Sequence, residues 1–128
     1  MPVGILIVDD NAAIRSLLRD ALQREVGWRV CGEAENGQDA IEKAKRLRPD
    51  VIVLDLSMPV MNGLEAGRTL TEALPAVPLV LFTSFETTTL RSEALKAGFK
   101  AVVSKSDLQL LIRSVHELVT PARPSVSS

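Results

Sequence analysis

The sequence predicts an open, doubly wound α/β fold, a parallel five-stranded sheet with helices on both faces. Three observations carry that prediction. Five short runs of Val, Ile and Leu recur along 128 residues, most without the polar alternation of a half-exposed strand, as expected where both faces are covered. Helix-spaced apolar stripes separate them and follow the last. Parallel neighbours need a crossover, and right-handed crossovers place helices on both faces of a sheet.

The elements follow in order. "GILIV" from Gly4 is the first strand, and Ile14, Leu17, Leu18, Ala21 and Leu22 form one apolar stripe on the first helix. Trp28 stands at the join to the second strand, "RVCGEA" from Arg29. Ala40, Ile41, Ala44 and Leu47 mark the second helix, which Pro49 ends. "VIVLD" from Val51 is the third strand, and the turn "SMPVMNG" leads to a third helical segment. "LVLF" from Leu79 is the fourth strand. The helix after it opens near Glu86 on Thr87, Thr88 and Thr89, β-branched residues that lower helix propensity and predict a pliant start. "AVVSK" from Ala101 is the fifth strand, before a helix with Leu108, Leu111, Ile112, Val115 and Val119 inward and Ser106 or Asp107 as its N-cap. Leu110 and Leu118 fall off that stripe and predict a contact surface.

Composition bounds the function classes. With 46% hydrophobic and 24% charged residues the chain suits one packed domain, placed at residues 1–119, followed by "TPARPSVSS" (120–128) as a disordered tail or linker stub. Net charge is -1 with dispersed basic residues, which offers neither a nucleic-acid footprint nor a polybasic membrane patch. The start reaches Asp9 too soon for a signal peptide or membrane span, and the single Cys31 predicts a small buried thiol with no internal disulfide, so a cytoplasmic protein is expected. His116, late in the last helix, is expected to be solvated or to stabilise the helix end.

Why a buried strand should end on a carboxylate is the question Asp55 poses, because a charge there is costly unless paired, coordinated or used. In doubly wound sheets ligands bind at the carboxyl ends of the strands, at the point where strand order reverses. For the flavodoxin-like order 2-1-3-4-5 that point lies between the first and third strands. Asp9 and Asp10 end the first strand and Asp55 the third, with Thr83, Ser84 and Lys105 on neighbouring ends. Three carboxylates together repel one another, and Lys105 supplies only one compensating charge. A Mg2+ ion completes the balance, since it takes one or two carboxylates and keeps several waters. Such parts suit phosphoryl transfer, with Asp55 as nucleophile and Asp9 and Asp10 as an ion-holding pair.

In the motifs "ILIVDDN", "VIVLDLSMPVMNG", "LFTS" and "VVSKSD" the sequence resembles the receiver domain of two-component response regulators, over about residues 4–119. The resemblance implies that Asp55 accepts a phosphoryl group from the histidine of a sensor kinase. It implies Asp10 as direct Mg2+ ligand, Asp9 as its water-mediated partner and Ser57 as the donor of a backbone carbonyl to the metal. Thr83 matches the hydroxyl residue that bonds a phosphoryl oxygen, Lys105 the lysine that pairs with the phosphoryl group, and Pro59 and Gly63 the turn after the acceptor. It implies a switch without a turnover substrate, and a downstream effector or a homodimer formed through the fourth helix, fifth strand and fifth helix. The segment from Gly27 to Ala66 is most similar to receivers that precede a helix-turn-helix domain, and no direct nucleic-acid contact by this domain is expected.

The chain departs from that family at Val102, where an aromatic switch residue is usual, and at Ser106, where proline is common. Phe85 stands where residues tune phosphoryl lifetime. A degenerate receiver that works by binding alone is the alternative. A phosphatase forming an aspartyl phosphate would need a second acid where Ser57 stands. A flavin or nucleotide binder would need a glycine-rich loop where "DDNAAIRS" stands.

Overall fold

The computed structural model describes residues 2–119; the predicted tail, 120–128, lies outside them. β1 (Val3–Val8), α1 (Ala12–Gln23), β2 (Trp28–Ala34), α2 (Gly37–Leu47), β3 (Val51–Leu54), α3 (Gly63–Ala73), β4 (Leu79–Thr83), α4 (Thr88–Ala97), β5 (Ala101–Ser104) and α5 (Leu108–Val119) alternate along the chain. All four strand pairings are parallel, in the order β2-β1-β3-β4-β5. This is the flavodoxin-like, doubly wound sheet that the sequence predicts.

Period-two alternation divides the core between the two faces. Leu6, Val8, Ile52, Leu54 and Leu81 meet Ala40, Ala66, Leu70 and Phe99 on the α2–α3–α4 side. Ile5, Ile7, Val51, Val53, Val80, Phe82 and Val103 meet Leu18, Leu22, Leu111 and Val115 on the α1–α5 side. Side-chain caps satisfy the free N–H groups of the helix starts, the role Asn, Asp and Thr serve there. Asn11, Asn36, Asn62, Thr87 and Asp107 accept backbone N–H bonds at the five starts. Of the two predicted caps for α5, Asp107 is the one used.

Several expectations are corrected. β3 and β5 stop one residue short of Asp55 and Lys105, which leads both side chains out of the ladder at the sheet's rim. α4 begins at Thr88, with Thr87 as its cap, two residues later than predicted. Cys31 is half-buried at the register shift between β1 and β2, and burial pushes its thiol up. Leu110 and Leu118 pack against the α1–α5 core, so they offer less free surface than their position off the stripe suggested. His116 is exposed, as expected, and also reaches the loop after α1: its Nε2 lies 2.8 Å from Glu25 Oε1, and its ring centroid lies 4.3 Å from that of Trp28. Among the described residues, no helix is long and apolar enough to cross a membrane.

Candidate functional site

The switch point between β1 and β3 carries the acids. Asp9 hangs from the ladder by its N–H to Ala34 O at 3.0 Å, and Asp55 by its N–H to Val8 O at 2.9 Å. Both are buried, at 2% and 7% exposure, whereas Asp10 is exposed. One carboxylate oxygen of each lies within 4.8 Å of the others, a set of hard oxygen donors. Such donors fit Mg2+ or another hard divalent cation.

Lys105 closes the site from the residue after β5. Its Nζ donates to Asp9 Oδ2 at 2.9 Å and lies 3.3 Å from Asp55 Oδ1. Asp55 Oδ1 also accepts the Leu56 N–H at 2.8 Å. Burial pushes the Asp55 carboxyl above its ordinary value; Lys105 opposes this and the neighbouring Asp9 adds to it. For Lys105, burial pulls downward, but the two carboxylates outweigh it and raise the ammonium's pKa. Cation and acids therefore form one electrostatic unit.

The turn after Asp55 is built for closeness. Gly63 N–H donates to Leu56 O at 2.8 Å, and a Cβ on Gly63 would stand 2.2 Å from Asp55 O. Only glycine leaves room for that backbone approach. Pro59 O accepts the Met61 N–H at 2.7 Å across Val60, whose φ of 70° is unusual for a β-branched residue and makes a tight three-residue turn.

Of the sequence-predicted site residues, Asp9, Asp10, Asp55, Ser57 and Lys105 line one pocket. Thr83 is not among its lining residues. It is fully buried, and its Oγ1 accepts the Phe85 N–H at 3.1 Å. Phe85 lines the pocket and is 63% exposed. Val102 is buried among the α2–α3–α4 core.

Sequence reasoning missed Asn11, Arg15 and Glu33. Asn11 N–H donates to Asp9 Oδ1 at 2.9 Å, and Arg15 Nη1 donates to Asp9 O at 2.6 Å. Arg15 Nε donates to Glu33 Oε1 at 3.1 Å, and Arg19 pairs with the same carboxylate. Burial pushes the Glu33 carboxyl up, but the two guanidinium groups outweigh it and hold it below the ordinary range. A charge within the second predicted strand was the legible signal for this cluster.

A parallel sheet of order 2-1-3-4-5 with acids at its switch point and a lysine facing them defines a class, and comparison with known proteins identifies it. The chain belongs to the response regulator receiver domain family, which matches residues 5–116. It is 38% identical over 101 residues to the chemotaxis protein CheY of Thermotoga maritima, covering 79% of this chain and 83% of that one. To the transcriptional regulatory protein LnrK of Bacillus subtilis it is 39% identical over 103 residues, covering 80% of this chain and 47% of that protein. The response regulator domain of Thermotoga maritima CheB superposes with a TM-score of 0.88 at 26% identity, over 96% of this chain and all of that domain. The chain thus spans about half the length of the Bacillus relative.

Proposed function

We propose that this receiver accepts a phosphoryl group on Asp55 from the phosphohistidine of a sensor kinase, with Mg2+, and passes the change to a downstream effector. The buried Asp55 carboxylate, facing Lys105 and two further acids at the switch point, is the observation that carries it. Asp10, Asp55 and the backbone carbonyl of Ser57 would hold the metal directly, and Asp9 through water. Bound there, Mg2+ would neutralise charge developing on the phosphoryl oxygens.

The chain's own residues do the rest. Both contacts described above fall on Asp55 Oδ1, which leaves Oδ2 as the attacking oxygen. As the Oδ2–P bond forms, the P–N bond to the donor imidazole breaks, and the leaving nitrogen keeps the electron pair and takes up a proton from solvent. Lys105 already stands where a phosphoryl oxygen on Asp55 would need a cation. Thr83 holds the switch: turning its hydroxyl toward that oxygen gives up the Phe85 N–H and releases the loop to α4.

Arg91 offers the coupling that the missing aromatic would have supplied. It pairs with Glu86 in that loop, and its Nη2 lies 3.4 Å from Val102 O on β5. A shift at Thr83 therefore reaches α4 and β5 together, the face proposed to bind the effector or a second copy. CheY and LnrK act, by their names, in chemotaxis and in transcriptional regulation. An output through protein contact, with no nucleic acid bound by this domain, accommodates either.

Intact-protein mass spectrometry after incubation with acetyl phosphate, with and without Mg2+, tests the reading. One phosphoryl adduct that requires the metal and is lost in Asp55→Ala is expected. A wild-type protein that binds Mg2+ yet takes no phosphoryl group from either acetyl phosphate or a panel of phosphorylated kinases would overturn it, leaving a receiver that works by binding alone.

A further inference from the structure

We infer that Arg15 is a positioning residue for the cation site: its guanidinium fixes the peptide joining Asp9 to Asp10, while Glu33 anchors its other arm and offsets part of its charge. The inference rests on the metal-dependent reading above. Two cations approach the acids, and they do so differently. Lys105 contacts the carboxylates themselves, whereas Arg15 grips a backbone carbonyl, Asp9 O, at 2.6 Å.

That carbonyl belongs to the peptide whose rotation would swing Asp10. The Asp10 carboxylate is exposed and, among the described residues, takes no hydrogen bond. Its aim toward Asp55 is therefore set by its backbone, which two side chains restrain: the Asp9 carboxylate through the Asn11 N–H, and Arg15 from outside the turn through Asp9 O. A charged donor to a carbonyl is a strong hydrogen bond, and arginine's planar fork lets a second arm be anchored elsewhere. Here the second arm is Nε, held by Glu33 Oε1 at 3.1 Å on β2. Side-chain exposures of 17% and 23% place the pair in a partly water-excluded position.

Glu33 has a second role. An unpaired guanidinium beside three carboxylates would compete electrostatically with a divalent ion, whereas Glu33, which Arg15 shares with Arg19, offsets part of that charge. Arg19, one turn further along α1, takes the other Glu33 carboxylate oxygen, and the Lys43 ammonium donates to the Glu33 backbone carbonyl. The cluster thus separates two jobs, geometry from Arg15 and charge from Lys105. Partners one shell out from a metal commonly act in this manner.

Mg2+ titration by calorimetry on the metal-free full chain tests the inference, with urea unfolding of each variant as a check on its fold. Arg15→Met is expected to weaken Mg2+ binding roughly ten-fold. Arg15→Lys, which restores charge without the fork, should recover only part of the loss and covers the case in which Arg15→Met does not fold. Arg19→Met removes a partner of Glu33 without touching Asp9 O, so it should leave Mg2+ affinity at the wild-type value. Equal Mg2+ affinities in the Arg15 and Arg19 variants would overturn the inference and reduce Arg15 to a staple between α1 and β2. Absence of Mg2+ binding by the wild type would instead bring down the metal-dependent reading, and the inference with it.

Discussion

On the β1–β3 side of the pocket, Asp9 and Asp55 hang from ladder hydrogen bonds, Arg15 and Asn11 pin the first turn, and Gly63 locks the second. On the β4–α4 side, the loop from Ser84 to Glu86 is restrained by the Thr83 hydroxyl and by a partly exposed Glu86–Arg91 pair. The helices behind the two sides differ in the same sense. α3 buries Gly63, Ala66, Gly67 and Leu70, whereas α4 buries only Ala94 and Ala97 and starts on threonines. On the proposed reading, the acids must keep their spacing whether or not Asp55 is phosphorylated, and the hydroxyl side must not. Each side carries the restraint that its job allows.

If the fixed side holds charge for chemistry, removing its cation should do the most damage. Lys105→Met is expected to slow phosphorylation by acetyl phosphate on the order of 100-fold, as losing one preorganised group at a developing charge does. A rate within a factor of two or so of wild type would show that Lys105 is only a counterion. The next test is steric. Gly63→Ala should cost about 2 kcal/mol in urea unfolding, since the added Cβ meets the Asp55 carbonyl oxygen and the backbone must give way.

Acid should loosen the fixed side through Glu33. Its folded-state pKa is held below the ordinary carboxylate value of 4.5, so the stability it contributes is present above that pH and is lost as pH falls through the folded value. The stability difference between wild type and Glu33→Gln should be under about 1 kcal/mol at neutral pH, given the partial exposure, and should vanish in acid. A difference that grew on acidification would contradict the pairing. The smallest stability effect belongs to the β4–α4 side. Arg91→Ala should change unfolding free energy by less than about 1 kcal/mol, yet it should reduce the shift that phosphorylation produces in β5 and α5 amide resonances. An undiminished shift would remove Arg91 from the switch.

Much of this was legible because the signals are local. Strands covered on both faces leave continuous apolar runs, and the order of those runs fixes where their carboxyl ends meet, so Asp9, Asp10, Asp55 and Lys105 gather from the pattern of the sequence alone. What was hidden depends on approach in space. Arg15 and Glu33 lie on different elements, and nothing in their own neighbourhoods states that α1 leans on β2. Leu110 and Leu118 fall outside the ideal stripe, yet they pack against the α1–α5 core, which residues distant in sequence complete. His116 found partners in Glu25 and Trp28 for the same reason. Thr83 was placed at the right strand end, but a sequence cannot say which neighbour a rotatable hydroxyl will choose, and here it chose the Phe85 N–H.

The measurement closest to the central claim is residue-level location of the phosphoryl group, by borohydride trapping of the acyl phosphate after Mg2+-dependent labelling and tandem mass spectrometry of the peptides. Reduction confined to position 55, with positions 9 and 10 intact, is the predicted result. Reduction at Asp9 or Asp10, or at no carboxylate in a protein that carries the phosphoryl mass, would contradict the assignment of Asp55 as the acceptor.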